Sequence, residues 1–544
     1  MVVRALLQRN AYYDSITLMA VAQAARDLPG VEDAGAVMAT ELNCELLRNA
    51  GLFPDAFLAE QDTPPGPSDL LIVVRAIDEM HAAIALAIAE ERLATRESPA
   101  VAAPPETIVP RSLEAAIRRD PDANLAVISV AGEHAWLEAE QALRLGLHVF
   151  LFSDNVPIQR EQALKTLAIQ RGLLLMGPDC GTAIINGVGL GFANVVPRGP
   201  IGIAGASGTG IQQLTCLIAA AGMGISQAIG TGGRDLSEAI GGSMMRRALE
   251  LLADDSQTAV IVLVSKPPAD LVAREILRIV AQIAKPVVAV FPGADPYRFA
   301  AIAGSGRMAR TLTEGAALAI ALAGGDPARV PGWEIVNSDA ASEAITSRAR
   351  FHSMAEPHLA VECMQVTLSQ RYVRALYSGG TLCDEAMLLL SERIGPIASN
   401  IPLYPNWALA PGETFRGHTA LDLGADEFTQ GRPHPMIDPT LRLHYLARAA
   451  EDPETAVILL DIVLGFVAHQ NPAAVYAPAI AQARTTAAAA GRMLSVIVSL
   501  CGTEGDPQRF STQCAALEAA GALVFASNAA AALAAASIIE ANGQ

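Results

Sequence analysis

The sequence contains few aromatic residues, no long apolar run and no excess of positive charge. Phe, Trp and Tyr make up 4% of its 544 residues, whereas 51% are hydrophobic in a count that includes alanine. Small aliphatic side chains in this abundance favour helices packed on parallel sheets over an all-β protein. Apolar windows such as residues 455–468 are interrupted by Asp461 and are too short to span a bilayer. The amino-terminal residues lack the apolar core of a signal peptide, so we expect a cytoplasmic protein.

The charge balance is acidic, with a formal net charge of -18 at pH 7. A chain of this charge is not expected to bind nucleic acid or an anionic membrane surface. It can still bind an anionic metabolite through local groups of backbone N–H donors. We therefore expect a small-molecule ligand.

The seven cysteines are scattered and form no C-x-x-C motif, which is typical of a reducing compartment. His418, Asp422, Asp426 and His434 lie in one irregular polar segment, but their spacing does not match a metal site. No metal site is predicted.

The order of apolar and helical segments predicts a multi-domain α/β protein. A small amino-terminal α/β domain is expected at 1–96, followed after a proline-rich linker by a Rossmann-like domain at 111–197. Two flavodoxin-like domains are expected at 198–325 and 370–544, joined by a wrapping segment at 326–369.

A glycine-rich turn lies between an apolar strand and a helix near the middle of the chain. The strand begins at Ile201, the turn runs from Gly205 to Gly210, and the helix continues to Gly222. Such a turn exposes backbone N–H groups beside the positive end of a helix dipole, which is a site for a phosphate. It is not a Walker A loop, because Ile211 stands where lysine is required. The alternative is a turn that only lets the helix and sheet pack closely.

A similar turn, residues 378–382, precedes a helix in the last domain. Residues 254–264 also align with 451–461, and 285–293 with 494–502. These similarities predict an internal duplication. Two related domains tend to pack about a pseudo-twofold axis, so the two helix amino termini would face one another. Each contributes roughly half a positive charge. The predicted phosphate-binding residues are Ser207, Gly208, Thr209, Gly210, Gly379, Gly380 and Thr381.

Other candidate residues follow the predicted strands, where open α/β sheets bind ligands. The predicted substrate-binding residues are Gly177, Pro178, Asp179, Cys180, Gly232, Gly233, Gly502, Thr503 and Glu504. His469 follows an apolar run and is a candidate acid or base beside Thr209 and Thr381, or a structural histidine.

Three of these motifs resemble the α subunit of succinyl-CoA synthetase. Gly177-Pro-Asp-Cys180 is similar to its GPNC motif, residues 202–209 (GIAGASGT) to its phosphate-site turn, and 229–233 (IGTGG) to its GIGGD segment. In that family two ligase domains, one from each subunit, point helix amino termini at a phosphorylated histidine. Residues 291–304, where that histidine would lie, contain no histidine. A phosphohistidine relay is therefore not expected, and no segment of the chain resembles an ATP-grasp domain.

Over its whole length the chain is identified as a member of the FdrA family of acyl-CoA-synthetase-like proteins. The motifs that carry this resemblance include DSITLM at 14–19, GPDCGT at 177–182, SGGTLCDEA at 378–386 and CGTEGDP at 501–507. The resemblance implies a subunit of an oxamate carbamoyltransferase, which converts oxalurate and phosphate to oxamate and carbamoyl phosphate in allantoin breakdown. It also implies partner subunits.

Two other functions remain open. The chain could be an acyl-CoA ligase in which residues 111–197 hold CoA as the cofactor, or a non-catalytic ligand-binding subunit. The presence of both glycine turns argues against a non-catalytic subunit. The acceptor of the transferred group is not determined by the sequence.

Overall fold

The computed structural model describes residues 2–94, 110–337 and 370–543, apart from a few single positions within these ranges. Most of the predicted linker at 97–110 and most of the wrapping segment at 326–369 lie outside the described residues. Within the described part of the chain, no helix has the length and apolarity that a membrane span requires.

The first compact unit comprises residues 1–119 together with 426–438. Its antiparallel sheet has the order β1-β3-β2. Leu70 and Ile72 of the central strand pack against helix residues such as Leu18, whereas Leu71 and Val73 pack against Leu47 on the opposite face. Alternate residues of a strand point to opposite faces, so a fully apolar strand is covered on both sides. The elements are β1 (Val2–Gln8), α1 (Ser15–Arg26), β2 (Val31–Met38), α2 (Glu41–Asn49), α3 (Asp55–Ala59), β3 (Leu70–Ala76), α4 (Glu79–Ala94), α5 (Leu113–Arg119) and, from the later segment, α15 (Asp426–Thr429).

The second unit comprises residues 120–425 and 439–544. It begins with a three-stranded parallel sheet of order β4-β5-β6. The apolar runs at 125–130, 148–152 and 173–176 predict these three strands. The elements are β4 (Leu125–Ile128), α6 (Gly132–Arg144), β5 (His148–Leu151), α7 (Ile158–Gln170) and β6 (Leu175–Met176).

The next sheet forms what we call the first repeat domain, and its strand order is β13-β12-β11-β9-β10-β7-β8. The elements are β7 (Thr182–Ile185), β8 (Val188–Gly191), β9 (Arg198–Ala206), α8 (Gly208–Ala220), β10 (Ile225–Gly230), α9 (Ser243–Asp254), β11 (Val260–Ser265), α10 (Asp270–Val280), β12 (Val287–Val290), α11 (Tyr297–Ala300), β13 (Arg307–Ala309) and α12 (Leu312–Leu322).

Two boundaries in this domain differ from the prediction. The hairpin β7–β8 joins the sheet through an antiparallel pairing of β7 with β10, so this sheet starts at Thr182 rather than at 198. The sequence pattern predicts a helix at 236–252, but α9 begins at Ser243, because Gly241 and Gly242 adopt positive φ angles of 75° and 73° that end the preceding turns.

The second repeat domain has a parallel sheet of order β15-β16-β14-β17-β18-β19. A 3₁₀ turn at Pro327–Arg329 and the short helix α13 precede it, and a second 3₁₀ turn lies at Pro405–Trp407. The elements are α13 (Trp333–Val336), β14 (Tyr372–Tyr377), α14 (Gly380–Ile394), β15 (Ile397–Ser399), β16 (His418–Asp422), α16 (Thr440–Glu451), β17 (Thr455–Val463), α17 (Pro472–Ala489), β18 (Ser495–Cys501), α18 (Phe510–Ala519), β19 (Ala522–Phe525) and α19 (Asn528–Gly543).

The two repeat domains share the setting of their central strands, but their sheets differ in strand number and in the order of the flanking strands. In the first, β9 lies between β10 and β11; in the second, β14 lies between β16 and β17, and β15 pairs with β16 at the edge of the sheet. All these pairings are parallel. Each central strand therefore ends at the same edge of its sheet, where a glycine-rich turn leads into α8 or α14.

Candidate functional site

The two predicted glycine turns meet in the structure. Ser207 is the N-cap of α8, where its hydroxyl oxygen accepts the N–H of Gly210 at 2.9 Å. The same hydroxyl donates to Oγ1 of Thr381, in the first turn of α14, at 2.6 Å. Both side chains are buried. The two helix amino termini therefore converge, as the duplication predicted.

The geometry of the two helices leaves several backbone donors at this junction. The first N–H groups of a helix have no intrahelical acceptor, and the Ser207 cap serves only that of Gly210. The N-cap of α14 is Gly379, which has no side chain to cap its helix. The first-turn N–H groups of both helices, with the positive ends of both dipoles, therefore favour an anion.

The contact between the turns requires a glycine at position 379. A Cβ atom there would lie 2.6 Å from Oγ1 of Thr209 and closer still to its methyl carbon. No side chain fits in that space, and Thr209 itself is buried. The two turns therefore touch directly.

The loop 177–182 packs beside the first turn. A Cβ atom at Gly208 would lie 3.5 Å from the Cα atom of Gly181. A Cβ atom at Gly233 would lie 2.6 Å from Oδ2 of Asp179, and one at Gly232 would be 3.0 Å from the Cα atom of Gly177. Two of the three predicted substrate-binding stretches, 177–180 and 232–233, are thus brought together with the first turn.

Cys180, in contrast, faces inward. Its sulfur lies 2.5 Å from where a Cβ atom at Gly230 would be, and burial raises the pKa of its thiol to about 12. A thiol that stays protonated is a poor nucleophile. Its side chain fills space beneath the loop.

A buried cluster of charges fixes the loop that carries Gly232 and Gly233. The ammonium group of Lys165, on α7, donates to the carbonyl of Thr231 at 3.0 Å and to Oδ1 of Asp235 at 2.7 Å. It also pairs with Glu161 at 3.0 Å. All three ionic side chains are at most 2% exposed. Sequence reasoning missed this cluster.

Lys266 brings a positive charge to the second turn. Its Nζ atom lies 2.5 Å from where a Cβ atom at Gly380 would be, and Oδ2 of Asp422 lies 2.8 Å from the same point. Asp384 is the fifth residue of α14. Burial, with Asp422 nearby and against the opposing effect of Lys266, raises the pKa of the Asp384 carboxyl to about 8. At neutral pH it is mostly protonated, so it does not repel an anion.

Ser378, aligned with Ser207 by the repeat, has a different contact. Its N–H and hydroxyl donate to Asp461 at 2.8 Å and 3.0 Å, and Asp461 pairs with Arg442 at 2.8 Å. Asp461 is the residue that interrupts the apolar run of β17, which explains how a carboxylate is tolerated there.

The remaining predicted residues make contacts away from the paired turns. Nδ1 of His469 accepts the N–H of Asn471 at 3.1 Å, and its carbonyl accepts Nε2 of Gln508. Thr503 donates to the carbonyl of Val195 at 2.7 Å. Glu504 accepts the N–H and hydroxyl of Ser511, both at 3.0 Å, in the first turn of α18. Gly502 packs on Leu464. None of these contacts reaches the paired turns, and the acid-base role of His469 stays a prediction.

In the described ranges, no group of three or more His, Cys, Asp or Glu side chains is arranged to hold a metal ion.

Family models match three parts of the chain. A model described as "CoA-ligase" matches residues 376–538, one described as "CoA binding domain" matches 198–293, and one described as "AllF, heavy metal-associated domain" matches 1–106. The CoA-binding match thus covers most of the first repeat domain and contains the turn at Ser207, rather than the segment 111–197 assigned to CoA from the sequence.

The uncharacterised protein YahF of Escherichia coli strain K12 is 42% identical over 532 residues, which are 97% of each chain. The α subunit of the ADP-forming succinate–CoA ligase of Methanothermobacter thermautotrophicus is 26% identical over 181 residues, 33% of this chain and 60% of the subunit. The structure of PH0766 from Pyrococcus horikoshii covers 80% of this chain and 87% of that protein, with 15% identity and a TM-score of 0.32.

These comparisons correct the predicted activity. One matching model describes a CoA-ligase and another a CoA binding domain, and the characterised relative is a subunit of a CoA ligase, so the expectation of a carbamoyltransferase is wrong. The expectation came from the family resemblance, and membership of a fold family does not identify the group transferred. The chain is acyl-CoA-synthetase-like.

Proposed function

This chain belongs to the same family as YahF of Escherichia coli, and we propose that it is an enzyme that exchanges an acyl group between CoA and phosphate. The observation that carries the proposal is the convergence of two helix amino termini, at the hydrogen bond between Ser207 and Thr381, within the segments matched by the CoA-binding and CoA-ligase models.

The proposed reaction needs no covalent intermediate on the protein. A phosphate oxygen attacks the carbonyl carbon of the acyl-CoA thioester, a C–O bond forms, and the C–S bond breaks. The products are an acyl phosphate and the CoA thiolate, which takes up a proton from solvent. Backbone N–H groups of α8 and α14 with Lys266 hold the phosphate, and binding both substrates in one site supplies the main rate advantage.

CoA is the proposed cofactor, beside the first turn. The loops 177–182 and 231–233 pack against each other and against Gly208, so they are the surface that a thioester bound at this turn would meet. The CoA-binding match at 198–293 includes this turn and Gly232. The similarity to the α subunit of a succinate–CoA ligase also supports CoA as the ligand.

The proposed exchange stops at the acyl phosphate. Residues 291–304 offer no histidine to accept the phosphoryl group. Any further transfer to a nucleotide is therefore assigned to a partner subunit. The name of the AllF model at 1–106 supports allantoin breakdown as the metabolic setting, as the sequence resemblance implied.

The experiment is a thiol-release assay. The full-length protein is mixed with acetyl-CoA or succinyl-CoA, and free CoA is followed with a chromogenic thiol reagent while the phosphate concentration is varied. We expect thiol release that depends on phosphate. Lys266→Gln should raise the apparent KM for phosphate about tenfold, because it removes a charged partner. Lys285→Gln is the matched control, since Lys285 donates only to the carbonyls of Leu252 and Asp255 in the hydrogen bonds described for it. Thiol release that is absent, or independent of phosphate, would refute the proposal.

A further inference from the structure

Thr182 has a buried hydroxyl that the proposed reaction does not yet use. It is the first residue of β7 and follows directly on the loop 177–181. The side chain is 1% exposed, and its Oγ1 atom has no hydrogen-bond partner among the residues that the structure describes. Burying a hydroxyl without a hydrogen-bond partner is unfavourable, because the hydrogen bonds it made to water are not replaced. A ligand that accepts its hydrogen would remove that cost.

The hydroxyl lies beside the first residue of α8. Its oxygen is 3.8 Å from where a Cβ atom at Gly208 would be. Gly208 has no side chain of its own to separate the hydroxyl from the start of the helix. The N–H groups of Gly208 and Thr209 have no intrahelical acceptor, because these are the first residues of the helix. The hydroxyl of Ser207 accepts the N–H of Gly210 instead.

We propose that Thr182 is a phosphate-binding residue, donating its hydroxyl hydrogen to a phosphoryl oxygen held at the amino terminus of α8. This inference deepens the proposed function and rests on it. Two backbone N–H groups and this hydroxyl are hydrogen-bond donors on one side of a buried turn, and the helix dipole adds positive potential there. A phosphoryl group has several acceptor oxygens that can bind such donors.

The phosphoryl group has two sources, inorganic phosphate and the phosphates of CoA. The proposal assigns it to inorganic phosphate, because the attacking oxygen must lie at the paired turns. Isothermal titration separates the sources when the protein is titrated with phosphate, with CoA, and with pantetheine, which has no phosphate. Replacing Thr182 should leave the affinities for pantetheine and CoA unchanged and should lower the affinity for inorganic phosphate.

The variants are Thr182→Val, which keeps the shape and removes the hydroxyl, and Thr182→Ser, which keeps the hydroxyl. The control is Thr215→Val, a buried threonine of α8 whose hydroxyl already donates to the carbonyl of Gln212 at 2.9 Å. We expect Thr182→Val to weaken phosphate binding about tenfold, and Thr182→Ser and Thr215→Val to bind phosphate within about twofold of the wild-type protein.

Phosphate binding by Thr182→Val equal to that of the wild-type protein would overturn the inference, as would wild-type protein that does not bind phosphate. A Thr182→Ser variant that binds as weakly as Thr182→Val would also overturn it, because the effect would then arise from packing. The result for the proposed function is separate. Wild-type protein that binds phosphate through Thr182 but releases no thiol from acyl-CoA would refute the reaction and leave the site standing.

Discussion

The hydroxyl groups of Ser207 and Thr381 lie 2.6 Å apart although 174 positions separate them in the chain. Each follows the central strand of one of two duplicated domains, so the same local pattern, used twice, places both at one contact. The contact aligns two helix dipoles whose positive ends point at a common region. In this acidic chain, the first-turn N–H groups and the nearby Lys266 supply local positive potential at the contact.

Ser207→Ala is expected to lower the free energy of unfolding by about 1–2 kcal/mol, because α8 loses its N-cap. It should also weaken phosphate binding, since the hydroxyl that orders Thr381 is lost. The matched control is Thr311→Ala, which removes the N-cap of α12, where Thr311 accepts the N–H of Glu314 at 3.1 Å. Urea unfolding and phosphate titration of both variants check this. Equal phosphate binding by the two variants would show that Ser207 acts only as a cap.

Gly379→Ala is expected to abolish phosphate binding while the protein stays folded. The added methyl group meets Thr209 and pushes the two turns apart. Overpacking of this kind costs about 1–3 kcal/mol. Gly66→Ala is the control, because a Cβ atom there would lie 3.9 Å from the nearest described atom, Oδ2 of Asp69. The measurement is phosphate titration with thermal unfolding as the test of folding. Unchanged phosphate affinity would mean that the contact is not part of the site.

Lys165→Met is expected to destabilise the protein by about 3 kcal/mol, because it leaves buried carboxylates without their ammonium partner. The cost stays at the low end of the range, since Arg234 still pairs with Glu161 at 2.9 Å and Met245 still donates to Asp235 at 2.8 Å. CoA affinity should fall as well, because Lys165 holds the carbonyl of Thr231.

Lys285→Met serves as the reference for removing a lysine outside this cluster, with an expected cost of about 1 kcal/mol. The free energies of unfolding come from urea titrations, and CoA affinity from calorimetry. A Lys165→Met protein as stable as Lys285→Met would contradict the assignment of a buried ionic cluster.

Asp384 predicts how stability depends on pH. Burial raises the pKa of its carboxyl from 3.8 to about 8. Between these values the folded protein holds a proton that the unfolded chain has released, so this group makes stability fall as pH rises from about 4 to 8. Below pH 4 and above pH 8, Asp384 adds no pH dependence to the free energy of unfolding. Asp384→Asn should therefore unfold with a weaker pH dependence in that interval and be more stable than the wild-type protein at pH 8.

Urea unfolding at several pH values from 5 to 8 checks this prediction. Glu385 contributes in the same direction, since burial raises its pKa to about 7, so part of the slope remains in the variant. A slope equal to that of the wild-type protein would show that Asp384 is ionised in the folded state.

The paired turns could be predicted because they depend on local patterns. An apolar strand, a glycine turn with Ser207 at the N-cap position, and an apolar helical repeat lie in one short stretch, and the second copy repeats them. The predicted duplication also implied that the two turns would face each other. The hydrogen bond between Ser207 and Thr381 shows that the two turns meet.

The neighbours of the turns could not be predicted, since they depend on contacts between distant residues. Lys165 reaches Thr231 across 66 positions, and Lys266 approaches Gly380 from another domain. Lys165 lies in a helix and Lys266 follows a strand, and no local sequence pattern around either residue indicates these contacts. The hairpin β7–β8 was missed for the same reason, because its pairing with β10 decides which sheet it joins.

The central claim is that phosphate held at the paired turns attacks a CoA thioester. Phosphorus NMR of succinyl-CoA and phosphate incubated with the full-length protein tests it most directly, because an acyl phosphate has its own resonance. We predict that this resonance grows as free CoA appears with the wild-type protein and is absent with Gly379→Ala. Release of CoA without any acyl phosphate, or an equal signal from both proteins, would contradict the account.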